Sequence, residues 1–279
     1  MTNDSSSSFF RVKSHQEQDI INYSLAGAYG LVALVALVQL VRIQLRVPEY
    51  GWTTQKVFHF LNFLQSSFRA AVFILLRAIA KTPKVLQFVL VDTPGLLYFS
   101  TYTLLILFWA EIYHQARSLP TTYLRPIFVV INVLVYAVQI GIWIWLAIPS
   151  QKHFQDQYPY CQCFLAGVFI LAALGFFVHG GRLFLMLRRF PVESRGRTKK
   201  LREVGCVTVI CSLCFTGRAA FIIYDAVAGN RLDLDTIDHP ITDAIYYGVF
   251  EVLPSALVLL ILRKLPPRKQ TGYQPLPAQ

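Results

Sequence analysis

Seven stretches of this chain are each at least 19 residues long and predominantly apolar. Their limits lie near Ile20–Val41, Val57–Leu76, Val85–Ala110, Pro126–Ile148, Cys161–Gly181, Val204–Val227 and Ala244–Leu262. At about 1.5 Å of rise per helical residue, each is long enough for a hydrocarbon core of about 30 Å. Lipid offers no partner to an unpaired backbone N–H or C=O, so apolar segments of this length are predicted to be helices. The expected fold class is therefore all-α: an integral membrane bundle of seven transmembrane helices over residues 20–265, with a polar N-terminal segment 1–19 and a C-terminal tail 266–279. Composition agrees, since 55% of the residues are hydrophobic and only 15% charged, against about 25% charged in soluble domains. The first span does not read as a cleavable signal, because it runs 22 residues behind an acidic flank.

The positive charge is sorted by side. The first, third and fifth loops and the tail together hold 17 Lys/Arg, whereas the N-terminal segment and the remaining loops hold 7. By the positive-inside rule the richer side is cytosolic, which predicts a luminal or extracellular N-terminus and a cytosolic C-terminus. The Asn3-Asp-Ser5 sequon then lies on the non-cytosolic side, where Asn3 is a candidate for glycosylation. Trp109 and Tyr113 at one end of span three, and Trp143 and Trp145 at the far end of span four, are expected to be interfacial anchors. A net charge of +11 need not signify nucleic acid, and no direct nucleic-acid contact is predicted.

Ionisable residues inside the membrane need partners, because each costs at least about 2.5–3.5 kcal/mol at the centre of a bilayer. Depth arithmetic on antiparallel neighbours predicts two pairs, Arg69 with Asp92 and Arg218 with Glu251, with Asp225 nearer the interface. Such pairs either stitch helices together or line a polar pocket. Pro94 and Pro254 are expected to kink spans three and seven. Gly167, Gly175, Gly180 and Gly181 are expected to let the fifth helix approach its neighbours closely. Cys206, Cys211 and Cys214 read as small buried hydrophobes.

Catalytic signatures are missing. The sequence has no His-Glu-x-x-His, no phosphate-binding glycine loop and no Gly-x-Ser-x-Gly elbow. Its six histidines lie on different sides of the membrane with no i, i+4 pair, so no metal site, no cofactor and no enzymatic activity are predicted. The seven-span layout matches that of G-protein-coupled receptors. However, span three ends Ala110-Glu111-Ile112-Tyr113 rather than Asp/Glu-Arg-Tyr, and span seven lacks Asn-Pro-x-x-Tyr.

The cytosolic side carries the richest sequence signals. Its longest basic run includes Arg188, Arg189, Arg195, Arg197, Lys199, Lys200 and Arg202, a cluster suited to anionic lipids or to an acidic protein surface. The tail holds Tyr273-x-x-Leu276, a pattern of the kind read by sorting adaptors.

Four strings then carry a family resemblance: V-P-E-Y-G-W-T-T-Q-K-V-F-H-F from Val47 to Phe60, F-W-A-E-I-Y-H-Q-A-R-S-L-P from Phe108 to Pro120, G-G-R-L-F-L-M-L-R-R-F-P-V-E-S from Gly180 to Ser194, and E-V-L-P-S-A-L-V-L-L-I-L-R-K-L-P-P near the end. The chain resembles the plant tobamovirus multiplication proteins over nearly its whole length. It departs from them at the N-terminus, where Ser5–Ser8 stand in place of a Trp-rich acidic lead-in. The resemblance implies a seven-pass protein of the vacuolar membrane, the tonoplast. It also implies that tobamovirus replication proteins bind through their helicase region, with a tetraspanin-like multiplication protein and an Arf-like small GTPase as further associations. Self-association into a homo-oligomer is a separate expectation. The reading that follows is a membrane scaffold recruiting partners through Glu49, Tyr50 and Trp52 of the first cytosolic loop, Glu111 and His114 of the second, and the basic cluster of the third. Its alternative is a G-protein-coupled-receptor-like receptor with a luminal polar pocket around the buried charges.

Overall fold

The computed structural model describes residues 3–46, 53–148, 154–189, 195–227 and 240–262, and all regular structure among them is helical. Seven rods carry segments long and apolar enough to cross a membrane. They are α1 (Asn3–Arg46), α2 (Thr54–Ile79), α3 (Lys84–Ala116) and α4 (Leu124–Ala147). The fifth, α5, joins Phe154–Gly175, a π-turn Phe176–Gly180 and Gly181–Arg189. The sixth, α6, is Arg195–Val227, and the seventh, α7, joins Pro240–Tyr247, a π-turn Gly248–Val252 and Leu253–Ile261. Each predicted span coincides with one rod. α1 begins at Asn3, so helix also covers residues 3–19 of the polar N-terminal segment. Residues 263–279, with Tyr273 and Leu276, lie outside the described residues.

The helices begin and end where their chemistry allows. Thr53 caps α2 by accepting from the Lys56 backbone N–H at 3.3 Å, meeting one of the orphan donors of the first turn. Residues 80–83 then reverse the chain, and Pro83, which has no N–H to leave unpaired, precedes α3. The main packing partners are α1 with α2 and α5 with α6, while α3 touches α2, α4 and α5.

The core is an aromatic column around α3. Tyr98 stacks on Phe215 of α6 at 5.3 Å between ring centroids, Tyr102 meets Phe176 of α5 at 5.9 Å, and Trp109 meets Phe176 edge-on at 5.5 Å. Trp109 is thus a buried core residue and not the interfacial anchor expected from its position in the span. Glycine makes this convergence possible. A Cβ on Gly180 would lie 2.4 Å from Thr208 Oγ1 and 2.8 Å from Trp109 Cζ3. Gly175 likewise faces Ile106 at 2.9 Å, whereas Gly167 and Gly181 have nothing within 4 Å and serve no close approach. Cys211 and Cys214 are buried as expected, but Cys206 is exposed.

Pro254 acts differently from a simple kink. Lacking an N–H, it leaves the Phe250 carbonyl four residues earlier without its helical donor. That carbonyl accepts from Tyr98 Oη at 2.8 Å instead. The backbone widens into the π-turn Gly248–Val252 immediately before the proline, and Glu251 sits within that turn.

Candidate functional site

Glu251 is 0% exposed, and four helices converge on its carboxylate. Arg69 of α2 donates through Nη2 at 2.8 Å and Nε at 3.2 Å, Tyr29 of α1 donates at 2.6 Å, and Arg218 of α6 donates through Nη1. A charge of this kind is tolerable in the membrane interior only when ion pairing and hydrogen bonds replace its hydration. The carboxylate therefore locks α1, α2 and α6 onto α7.

One carboxylate does not neutralise two guanidinium groups, and aromatic faces take up the excess. The Arg218 guanidinium lies 4.3 Å from the Phe169 ring centroid, 5.2 Å from Tyr246 and 5.3 Å from Tyr98. Arg69 lies 4.8 Å from the Tyr247 ring. Ring quadrupoles attract cations most strongly where water is excluded.

The predicted Arg218–Glu251 pair is present, but the predicted Arg69–Asp92 pair is not. Arg69 pairs with Glu251, and its Nη1 donates at 2.9 Å to the Val91 carbonyl, one residue before Asp92. The arithmetic gave the right depth and the wrong azimuth, because adjacent helical residues point about 100° apart. Asp92 faces α4 and accepts from Gln139 Nε2 and Trp143 Nε1, each at 3.3 Å. Trp143 is thereby an internal donor rather than an interfacial anchor, whereas Trp145 stays 42% exposed. Asp225 is not solvated at the interface but buried, accepting from Gln162 Nε2 at 3.0 Å.

A cavity of about 60 Å³ lies among Arg69, Asp92, Gln162, Arg218, Tyr246 and Tyr247. Arg218 Nε and Gln162 Oε1 are buried without a bonding partner among the described residues. The space suits a few water molecules joining such groups. Small-molecule pockets are several times larger, about 300–1,000 Å³.

Sequence reasoning missed two polar stripes. On α2, Lys56, His59, Asn62, Gln65, Ser66 and Arg69 are all buried at spacings of three or four residues. On α4, Arg125, Asn132, Tyr136, Gln139 and Trp143 share one face and meet polar groups of α3. The contacts are Glu111 to Arg125 at 2.8 Å, Thr103 to Asn132 at 3.3 Å, Ser100 to Tyr136 at 3.1 Å, and Asp92 to both Gln139 and Trp143. The signal was their i, i+3, i+4, i+7 spacing inside otherwise apolar spans.

The loop candidates are scattered. Glu111 is largely buried and held by Arg125, so it is a staple between α3 and α4. His114 sits in the last turn of α3, its Nδ1 2.8 Å from the Ala110 carbonyl. Arg188 and Arg202 are exposed at the ends of α5 and α6. Arg189 closes α5, and Arg195, Arg197, Lys199 and Lys200 lie on the first turns of α6. Asn3 is the first residue of α1. Glu49, Tyr50 and Trp52 lie outside the described residues.

Comparison with known proteins extends over almost the whole chain. Residues 5–276 match the THH1/TOM1/TOM3 domain. The chain is 56% identical over 268 residues to Tobamovirus multiplication protein 1 of Arabidopsis thaliana, covering 95% of this chain and 90% of that protein. It is 55% identical over 253 residues to Tobamovirus multiplication protein 3 of the same plant, covering 90% and 82%. Against Tobamovirus multiplication protein 3 of Nicotiana tabacum it is 53% identical over 268 residues, covering 95% and 89%. No solved structure matches it.

Proposed function

Because the chain belongs to the THH1/TOM1/TOM3 family, we propose that it is a plant host factor for tobamovirus multiplication, acting as a multi-pass membrane scaffold. The observation that carries this reading is identity of 53–56% across 95% of the chain to proteins named for that role. The similarity therefore includes the basic loops as well as the spans. In this reading the side rich in Lys/Arg is cytosolic, the membrane is the tonoplast, and the viral replication protein docks through its helicase region. A tetraspanin-like protein and an Arf-like GTPase share the assembly. The protein performs no catalysis of its own.

The buried network supports this assignment of labour. A carboxylate that fastens four helices, beside a cavity of only about 60 Å³, fits a membrane domain that serves as a platform, with partner proteins recognised by the loops. Tyr50 and Trp52 are the principal anchors proposed, since aromatic residues dominate binding hot spots. The exposed arginines at the ends of α5 and α6 supply electrostatic steering. Glu111 is assigned to stability instead, because Arg125 already occupies it.

The test is capture of the purified helicase domain by the full-length membrane-inserted protein and its loop variants. Trp52→Ala is expected to abolish capture while insertion and thermal stability stay unchanged. Capture that persists in variants of all three basic-side loops would overturn the scaffold reading.

A further inference from the structure

A groove of about 1020 Å³ runs between α5 and α6 on the outside of the bundle. Its walls are almost wholly apolar, including Phe177 and Leu185 from α5 and Val209 and Leu213 from α6. These four side chains are 53–71% exposed, so the groove opens sideways toward lipid. Arg182 and Arg202 line the same groove. Both are exposed, and neither forms an ion pair with another described residue. Ser212 contributes a buried hydroxyl that has no partner among the described residues.

From Arg202 to Leu213 the α6 wall rises eleven residues, about 16 Å. That is the depth of one leaflet of a hydrocarbon core about 30 Å thick. We propose that this groove is a binding site for an anionic glycerophospholipid, with one acyl chain between α5 and α6 and the phosphate held by Arg182 and Arg202. Basic side chains placed between transmembrane helices recognise headgroups in this way. A transmembrane helix of a partner would need an apolar channel through both leaflets, and this one spans a single leaflet. A second copy of the chain docking face to face would set these arginines against their own equivalents. The proposal stands apart from the viral reading, since it rests on groove shape and charge alone. It also differs from diffuse attraction between the basic loop and a membrane surface, because it requires the apolar slot.

Native mass spectrometry of the full-length protein, extracted from nanodiscs of equal parts phosphatidylcholine and phosphatidylserine, tests it. The wild type is expected to retain one phosphatidylserine in preference to phosphatidylcholine. R182Q/R202Q is expected to lower that retention about thirtyfold, given about one favourable headgroup contact per arginine. R182K/R202K, which keeps the charge, is expected to preserve most of it. Val209→Trp fills the slot from a lipid-exposed position and is expected to reduce retention with both arginines intact, which keeps the proposal testable if R182Q/R202Q does not fold. Unchanged retention in R182Q/R202Q overturns the proposal, as does an equal loss in the neighbouring Arg188→Gln control. Val209→Trp that leaves phosphatidylserine bound reduces the site to surface attraction and also overturns it. Loss of self-association or partner capture in Val209→Trp with lipid retention intact identifies a helix-docking surface instead.

Discussion

Helices α3 and α4 lie side by side and invert the rule familiar from soluble proteins. In α4, the more apolar of the two, only 11% of the membrane-spanning window is buried; in α3 the figure is 67%. Val129, Val130, Val133 and Leu134 of α4 face outward, while its buried residues include Gln139. α3 buries Ser100, Thr101, Tyr98, Tyr102 and Glu111 alongside apolar residues such as Leu96, Phe99, Leu104 and Leu105. Lipid is as apolar as leucine, so in a bilayer an aliphatic side chain gains little by turning inward. Hydroxyl, amide and charged groups do gain, because only other protein groups can bond them. Hydrophobicity alone therefore does not predict which of the two helices is buried, and polar satisfaction accounts for the difference at the polar positions.

Substitutions can break or sharpen that contrast. The largest effect is expected at the hub. Glu251→Gln removes the carboxylate that pairs with both Arg69 and Arg218 and is expected to cost about 3–5 kcal/mol, read as a fall in thermal unfolding temperature in detergent. A cost no larger than that of a lipid-facing α4 variant would refute the account given for the interior. Next comes Gly180→Ala, whose Cβ would press against Thr208 and Trp109. Overpacking of that kind costs about 1–3 kcal/mol, and the same melting assay would register it. Tyr29→Phe removes one donor from the Glu251 carboxylate and is expected to cost about 1–2 kcal/mol. A double-mutant cycle with Glu251→Gln should show coupling between the two positions; additivity would mean that Tyr29 acts through packing alone. The smallest effect is expected on the outer face of α4. Val133→Ala should change stability by less than about 0.5 kcal/mol, and a larger loss would show that something other than lipid covers that face.

Much of this was legible along the chain, and the failures share a cause. All seven spans were found, since length and apolar content alone identify them. The pairing of Arg218 with Glu251 was also found, because depth follows from counting residues. Arg69 was nevertheless given the wrong carboxylate, Trp109 and Trp143 were expected as interfacial anchors, and Asp225 was expected near the interface rather than buried. Each of these errors concerns which way a side chain points around its helix. The π-turn that holds Glu251 was not foreseen either. It answers the missing N–H of Pro254 together with the hydroxyl that Tyr98 offers to the Phe250 carbonyl, a contact between residues 152 positions apart.

The sequence by itself determined that this protein is a seven-span helical bundle, and at what depth each charge lies. Insertion is a sum of local transfer free energies, and the rise per residue hardly varies with context. Only the tertiary structure decided the azimuth of each helix. It made Glu251 the hub of α1, α2, α6 and α7, turned Asp92 toward α4, and left a slot between α5 and α6 whose lining includes two arginines. Rotation about a helix axis costs nothing locally, so it is settled by the polar groups that neighbouring helices bring within bonding reach.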